Sequence, residues 1–309
     1  MAFQWMRRVL LALAPAALLA LAACDSSTIE SQFRPTRVVA FGDALSDMGQ
    51  TGADATGRRY MIDNSDRLWL KQVGLSYGVA SVTAARFGGS VYAVGNARVN
   101  ADPDAAGNPA TPTIKEQIDA FLAAGGPTEN DLVTLQGGIS DVIYQVQLHR
   151  AGSQTREQLL ANVRQAALDF ANQARRLRGA GAKHIVIMGM YDLSVTPWGI
   201  STQLQPLISE ASRTFNDTVL VDLVQQGDTM LFVDTALLFN LMVSNRVGYG
   251  FDSVTDAACG QVSAYQCTTA TLAAGANPDK YLWADQFYPT AAAHARLADY
   301  TYTRISTRW

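Results

Sequence analysis

Histidine is nearly absent from this chain, with three in 309 residues: His149, His184 and His294. Cysteine is as scarce, at Cys24, Cys259 and Cys267. None of the six stands at metal-ligand spacing from the others, so no metal site is expected, and no sequence motif calls for a cofactor. Charged side chains make up only 17% of the residues, and the net charge is −3. That balance leaves no electrostatic footprint for nucleic acid. Arg175, Arg176 and Arg178 read as the solvated end of a helix. Long apolar runs are missing too: the longest, Val9–Leu21, is too short to span a bilayer comfortably. There is no internal repeat and no interdomain linker.

What is present begins with an export signal. Arg7 and Arg8 form a short positive region, Val9–Leu21 an apolar core, and Leu21-Ala22-Ala23-Cys24 places small residues before a cysteine. Leu-Ala-Ala-Cys resembles the bacterial lipobox, which implies cleavage after Ala23 and lipidation of Cys24. More than one acyl chain on that residue suffices for stable anchoring. The partner this implies is a membrane, and the location an exported one on the cell envelope, at the periplasmic face or outer membrane. Asp25 after the cysteine favours the inner membrane in some bacteria, and the choice stays open. The expected organisation is a signal peptide over residues 1–23, a polar tether over 24–35 and one domain over 36–309. With Cys24 carrying lipid, Cys259 and Cys267 remain as an even pair in a compartment where disulfides form.

The domain alternates strand and helix signals. Compact apolar runs at Arg37–Phe41, Asp131–Gln136, His184–Met188 and Leu231–Asp234 read as buried strands. Between them, Gln158–Leu177 sets Leu159, Leu160, Val163, Ala166, Ala167, Phe170 and Ala174 on one face at helical spacing. Leu204–Val224 and Ala291–Ile305 do the same, and Ala101–Thr113, with three prolines and a glycine, reads as a surface loop. The pattern predicts an α/β fold: a three-layer α/β/α sandwich around a mainly parallel, flavodoxin-like sheet, in a single domain. Ligands of such sheets sit at the carboxyl ends of the strands. The loops to inspect are therefore Gly42–Asp47, Gly137–Asp141, Met190–Asp192 and the late segment Asp285–Thr290.

These loops, in this order, resemble the sequence blocks of the GDSL or SGNH family of serine esterases and lipases. Phe41-Gly-Asp-Ala-Leu-Ser-Asp47 is similar to the first block, normally Phe-Gly-Asp-Ser-Leu-Ser-Asp. Tyr92-Ala-Val-Gly-Asn-Ala97 is similar to the second, normally Tyr-Ala-Val-Gly-Gly-Ala, and Gly138-Ile-Ser-Asp141 to the third, normally Gly-x-Asn-Asp. Asp285-Gln-Phe-Tyr-Pro-Thr290, with His294 beyond it, resembles the last, normally Asp-x-x-His-Pro-Thr. Carried over position by position, the family's nucleophile falls on Ala44, its general base on Tyr288 and the base's orienting carboxylate on Asp285. The oxyanion-hole glycine and asparagine fall on Asn96 and Ser140.

A methyl group cannot attack a carbonyl, and a phenol with a pKa near 10 is not a base at neutral pH. Losing one triad member costs a serine hydrolase on the order of 10⁴-fold. Asn96 still offers a backbone N–H, while Ser140 reaches less far than asparagine. Ser46, two residues past the lost serine, is expected to cap a following helix, and His294 to pack within the last one. Tyr288 is expected to donate its phenol to Asp285 or to fill the space of the missing imidazole. Three functions compete: a catalytically silent hydrolase-like lipoprotein that binds an acyl, glycan or protein ligand in the former cleft; an active ester hydrolase using non-standard residues; and a structural or assembly lipoprotein. Tyr281, Trp283, Phe287 and Tyr288 either line such a cleft or fill the core.

Overall fold

The computed structural model describes residues 33–52 and 57–309. The expected signal peptide, Cys24 and most of the expected tether lie outside the described residues. From Phe33 onward the chain forms one compact unit. Four strands, β1 (Arg37–Phe41), β2 (Asp131–Gln136), β3 (His184–Met188) and β4 (Met230–Val233), pair in parallel in the order β1-β2-β3-β4. Val91 bridges Ala40 in parallel on the free side of β1. A doubly wound sheet results, whose winding reverses beside β1. Three of its strands are apolar almost throughout because helices cover both faces.

Among the described residues, seven helices of eight residues or more flank the sheet: α1 (Trp69–Ser76), α2 (Ile114–Ala123), α3 (Ile139–Arg150), α4 (Arg156–Gly179), α5 (Gln205–Asp222), α6 (Thr235–Ser244) and α7 (Ala291–Ser306). Helices α4 and α5 pack on each other in one layer, α1 and α7 in the opposite one. Short strands β5 (Ser253–Ala257) and β6 (Tyr281–Trp283) pair in parallel as a small second sheet, which the alternation of strand and helix signals does not announce.

Element ends differ from the sequence reading where side chains cap them. Helix α4 begins at Arg156, two residues early, because Thr155 and Gln158 form a reciprocal capping box. Strand β4 stops at Val233 because the Asp234 carboxylate turns to accept from the Leu237 amide (2.9 Å) and caps α6. Helix α5 is trimmed to Gln205–Asp222. The folded body also starts earlier than residue 36. Phe33 is buried, its ring stacked on His184 at 3.8 Å and its amide donating to the Trp309 carbonyl (3.2 Å). Phe33–Pro35 thus belong to the domain rather than to the tether. Arg175, Arg176 and Arg178 are not merely solvated: they pair with Asp222, Asp119 and Asp228.

Candidate active site

The turn after β1 lies at the reversal point of the sheet, against the end of β2. Gly42 has φ +154°, and a Cβ there would fall 2.6 Å from Gln136 Oε1, so only glycine lets the two chains approach. Its N–H donates to Gln117 Oε1 (2.9 Å), and the Gln117 amide returns a bond to its carbonyl (2.9 Å). Asp43 follows, fully buried, accepting from the Leu45 amide (3.1 Å). Burial pushes its carboxyl up to about 6; the Gln136 amide and the Leu45 N–H oppose the rise. Asp47 holds the next loop, accepting from the amides of Gly49 (2.8 Å), Gln50 (2.6 Å) and Gly95 (3.1 Å). That last bond ties the first block to the second.

Ala44 sits in this turn at 2% exposure, its methyl group where the family carries the nucleophile. Neither its amide nor that of Asn96, the position on which the oxyanion-hole glycine falls, donates to an acceptor among the described residues. Asn96 has φ +62°, the left-handed conformation in which the family's glycine is at ease and asparagine is the best-tolerated replacement. Its side-chain amide donates to the Tyr60 hydroxyl (3.2 Å). Ser140, in the first turn of α3, is fully buried and its Oγ has no partner among the described residues.

The last loop brings Asp285 and Tyr288 to the same place. The Asp285 carboxylate accepts from three amides: Ala264 (2.7 Å), Phe287 (2.8 Å) and Tyr288 (2.7 Å). The Tyr288 phenol makes no hydrogen bond to it, contrary to the first half of the sequence expectation. Tyr288 is instead 4% exposed and packs edge-on to Tyr60 at 5.5 Å. Burial raises its pKa well above 10, reinforced by the negative charge of Asp43 and by Tyr191, Tyr60 and Asp285. It therefore stays a neutral phenol. Tyr265 leans on Tyr60 from outside (5.1 Å), and it lies in the loop closed by the Cys259–Cys267 disulfide, whose Cα atoms are 6.0 Å apart. The same loop supplies the Ala264 amide to Asp285. Three tyrosine rings thus gather where the last loop meets the second block. Of the other late aromatics, Trp283 is core, its indole N–H donating to the Val254 carbonyl (2.9 Å).

No serine–histidine hydrogen bond exists among the described residues. Ser46 caps no helix, because the chain continues in turns to Gln50; its Oγ is buried without a partner. His294 is buried, and its Nδ1 accepts from the Trp69 amide (3.2 Å) at the start of α1. Burial drives its pKa down to about 3, which keeps it neutral and structural. His149 Nδ1 meets the Gln154 carbonyl (3.0 Å). Sequence reasoning passed over Arg98 and took Asp141 only as part of a block. The structure pairs them in the interior, with Arg98 Nε 3.1 Å from Asp141, the Val99 amide also on that carboxylate (3.0 Å), and the guanidinium over Tyr144. This bridge fixes the third block to the second. A buried arginine one residue past Ala97 was the signal available.

The chain spans a fifth to about half of the length of the curated relatives it matches. It is 30% identical to the Esterase EstA of Pseudomonas aeruginosa over 132 residues, 41% of this chain and 20% of that protein. It is 24% identical over 298 residues to an uncharacterized protein from the trpE–trpG intergenic region of Pseudomonas putida, covering 88% of this chain and 49% of that one. Among solved structures, a phospholipase A1 from Streptomyces albidoflavus superposes with a TM-score of 0.50 at 14% identity, covering 87% of this chain and 99% of that one. The family profile described as GDSL-like Lipase/Acylhydrolase matches residues 38–301, so this chain belongs to the GDSL lipase/acylhydrolase family.

Proposed function

We propose that this chain is a hydrolase-family protein that no longer hydrolyses esters, held on the cell envelope by lipid on Cys24. The observation that carries the reading is the pairing of Ala44 with a neutral, buried Tyr288: nucleophile and base are both missing from a turn whose scaffold is otherwise in place. Asp285 is held by three backbone amides, so the loop keeps its shape without an imidazole to complete it. A cavity of about 470 Å³ lies beside the Ala44 turn, lined by Tyr92, Val94, Pro112 and Gln117 and edged by Asp102 and Gln50. Gln117 bonds to Gly42, so an occupant would sit next to the silent turn. Aromatic and aliphatic walls interleaved with polar side chains, Asp102, Thr111 and Glu116 among them, suit a glycan or a polar acyl ligand.

The test is a rescue series on the purified full chain with a p-nitrophenyl short-chain ester and a fluorophosphonate probe. Wild type should show no turnover above background. Ala44→Ser alone should stay within about tenfold of background, because nothing deprotonates the new hydroxyl. Ala44→Ser with Tyr288→His should gain about 10²-fold or more, and adding Ser140→Asn should extend the gain. Wild-type turnover that is lost on Ser46→Ala would establish an active hydrolase with non-standard residues instead. Substantial activity from Ala44→Ser alone would show that the base lies elsewhere.

A further inference from the structure

The sheet has two ends, and the second carries features that the silent site does not use. Phe33 enters the fold at the amino end of the strands, on His184, the first residue of β3. Cys24 is nine residues upstream, so the intervening chain reaches at most about 30 Å from this point. The last turn of α5 and the loop after it lie at the same end, since Thr229 pairs with Ile185 there. Arg308 donates to the Gly227 carbonyl, which ties that loop to Trp309 and through it to Phe33. Here Leu220, Val221 and Val224 are 42%, 75% and 75% exposed. An apolar cavity of about 270 Å³ opens between this helix end and the start of β4, lined by Leu223, Val224 and Met230 among others.

Charge follows the apolar surface. Asp131, Asp222 and Asp228 at this end are each paired with an arginine. Lys183, Arg304 and Arg308 have no acidic partner among the described residues, whereas Glu129 is the exposed carboxylate left to oppose them. A protein of net charge −3 thus presents a locally basic, aliphatic end where its anchored segment arrives. No helix among the described residues is long and apolar enough to cross a membrane, so contact there would be peripheral.

We propose that the amino end of the sheet, centred on Val221 and Val224, docks on the surface of an anionic lipid bilayer. This rests on the reading that Cys24 is acylated. Valine side chains enter the headgroup boundary, and Lys183, Arg304 and Arg308 meet lipid phosphates. The Ala44 turn, at the carboxyl end of the strands, then faces away from the membrane. A tether of this length keeps the docking face at the bilayer and limits how far the domain can turn over.

The full chain, with acylation read by mass spectrometry, is reconstituted in vesicles of phosphatidylcholine and phosphatidylglycerol bearing brominated acyl chains. Val224→Trp should show tryptophan quenching about threefold or more above wild type. Ile200→Trp, exposed in the helical turn Pro197–Ser201 that bonds to the last loop through Trp198 at the carboxyl end, should show none above wild type. A Cys24→Ser chain should still cosediment with anionic vesicles, more weakly in high salt, and Val221→Asp with Val224→Asp should lower that binding about tenfold or more. Quenching at Val224→Trp no greater than at Ile200→Trp in an acylated chain would overturn the proposal. If Cys24 carries no lipid, the anchor reading fails on its own; failure of the same chain to bind anionic vesicles would then overturn the docking face.

Discussion

The two ends of the one sheet have been treated in opposite ways. At the carboxyl end, Asp43, Ala44, Ser46, Ser140, Asp285 and His294 are all nearly or fully buried, and the rings of Tyr60, Tyr265 and Tyr288 pack together there. At the amino end, large aliphatic side chains stand in solvent beside basic groups that have no acidic partner among the described residues. An esterase needs the reverse at its carboxyl end: an open turn and groups whose protonation changes near neutral pH. Here the groups that titrate away from their ordinary values are driven there chiefly by burial, which is a structural signature. The comparison says that changes at the carboxyl end should be felt as stability, and changes at the amino end as membrane contact.

The largest stability effect should come from His294. Its folded pKa of about 3 lies below the ordinary 6.5, so the unfolded chain takes up a proton first as pH falls. Its stability contribution is complete above pH 6.5 and is lost progressively toward pH 3, by about 5 kcal/mol at the lower limit. Asp43 acts in the other direction. With a folded pKa of about 6, it costs stability when ionised, and the protein recovers that stability as pH falls from 6 toward 4. Urea unfolding of His294→Gln, measured from pH 7 to 4, should therefore show a much smaller acid loss than wild type, with what remains coming from groups such as His184 and Asp131 whose pKa values are also lowered. An unchanged acid slope would mean that His294 is not the buried neutral acceptor of the Trp69 amide.

Much of this was legible in the chain. The four parallel strands are short apolar runs bounded by turn residues, and long helices such as α4 declare themselves by spacing. The substitutions at 44 and 288 are visible because Asp43, Asp47, Pro289 and Thr290 keep the blocks in register around them. What the sequence could not express is how a site closes. Tyr60, Tyr265 and Tyr288 are 23 to more than 200 residues apart, and nothing local in any of them foretells that their rings will meet. The partners of Asp285 were equally hidden, since the Ala264 amide is a backbone donor with no side-chain signature. Ser46 was misread for a related reason: Asp47 draws the following amides to its own carboxylate and holds the segment in turns, so no helix forms for Ser46 to cap.

A smaller effect is expected from the disulfide. Removing it with Cys259→Ser and Cys267→Ser frees a loop of nine residues, at a cost of about 2–3 kcal/mol by the loop-closure relation. The same change loosens Ala264 from Asp285 and Tyr265 from Tyr60. Chemical denaturation under oxidising and reducing conditions measures it. If the carboxyl end is held shut by this loop, the variant should also expose its tyrosines to solvent in near-ultraviolet absorbance before global unfolding. A loss of stability without that early change would separate the disulfide from the closure.

The smallest carboxyl-end effect is the most discriminating. Tyr60 contributes both a ring and a hydroxyl: the ring lies between Tyr265 and Tyr288 and so close to Gly95 that a Cβ there would fall 2.1 Å from it. The hydroxyl accepts from Asn96. Tyr60→Phe keeps the ring and removes only that bond, which should cost about 1 kcal/mol. Tyr60→Ala should cost about 3–5 kcal/mol, because a buried aromatic is lost and a cavity remains. Val221→Ser at the amino end should move stability by less than about 0.5 kcal/mol, since the residue is exposed. The ratio of the first two values decides what holds the carboxyl end together. If Tyr60→Phe costs nearly as much as Tyr60→Ala, then the bond to Asn96 holds the second block in place, and the three rings follow from it.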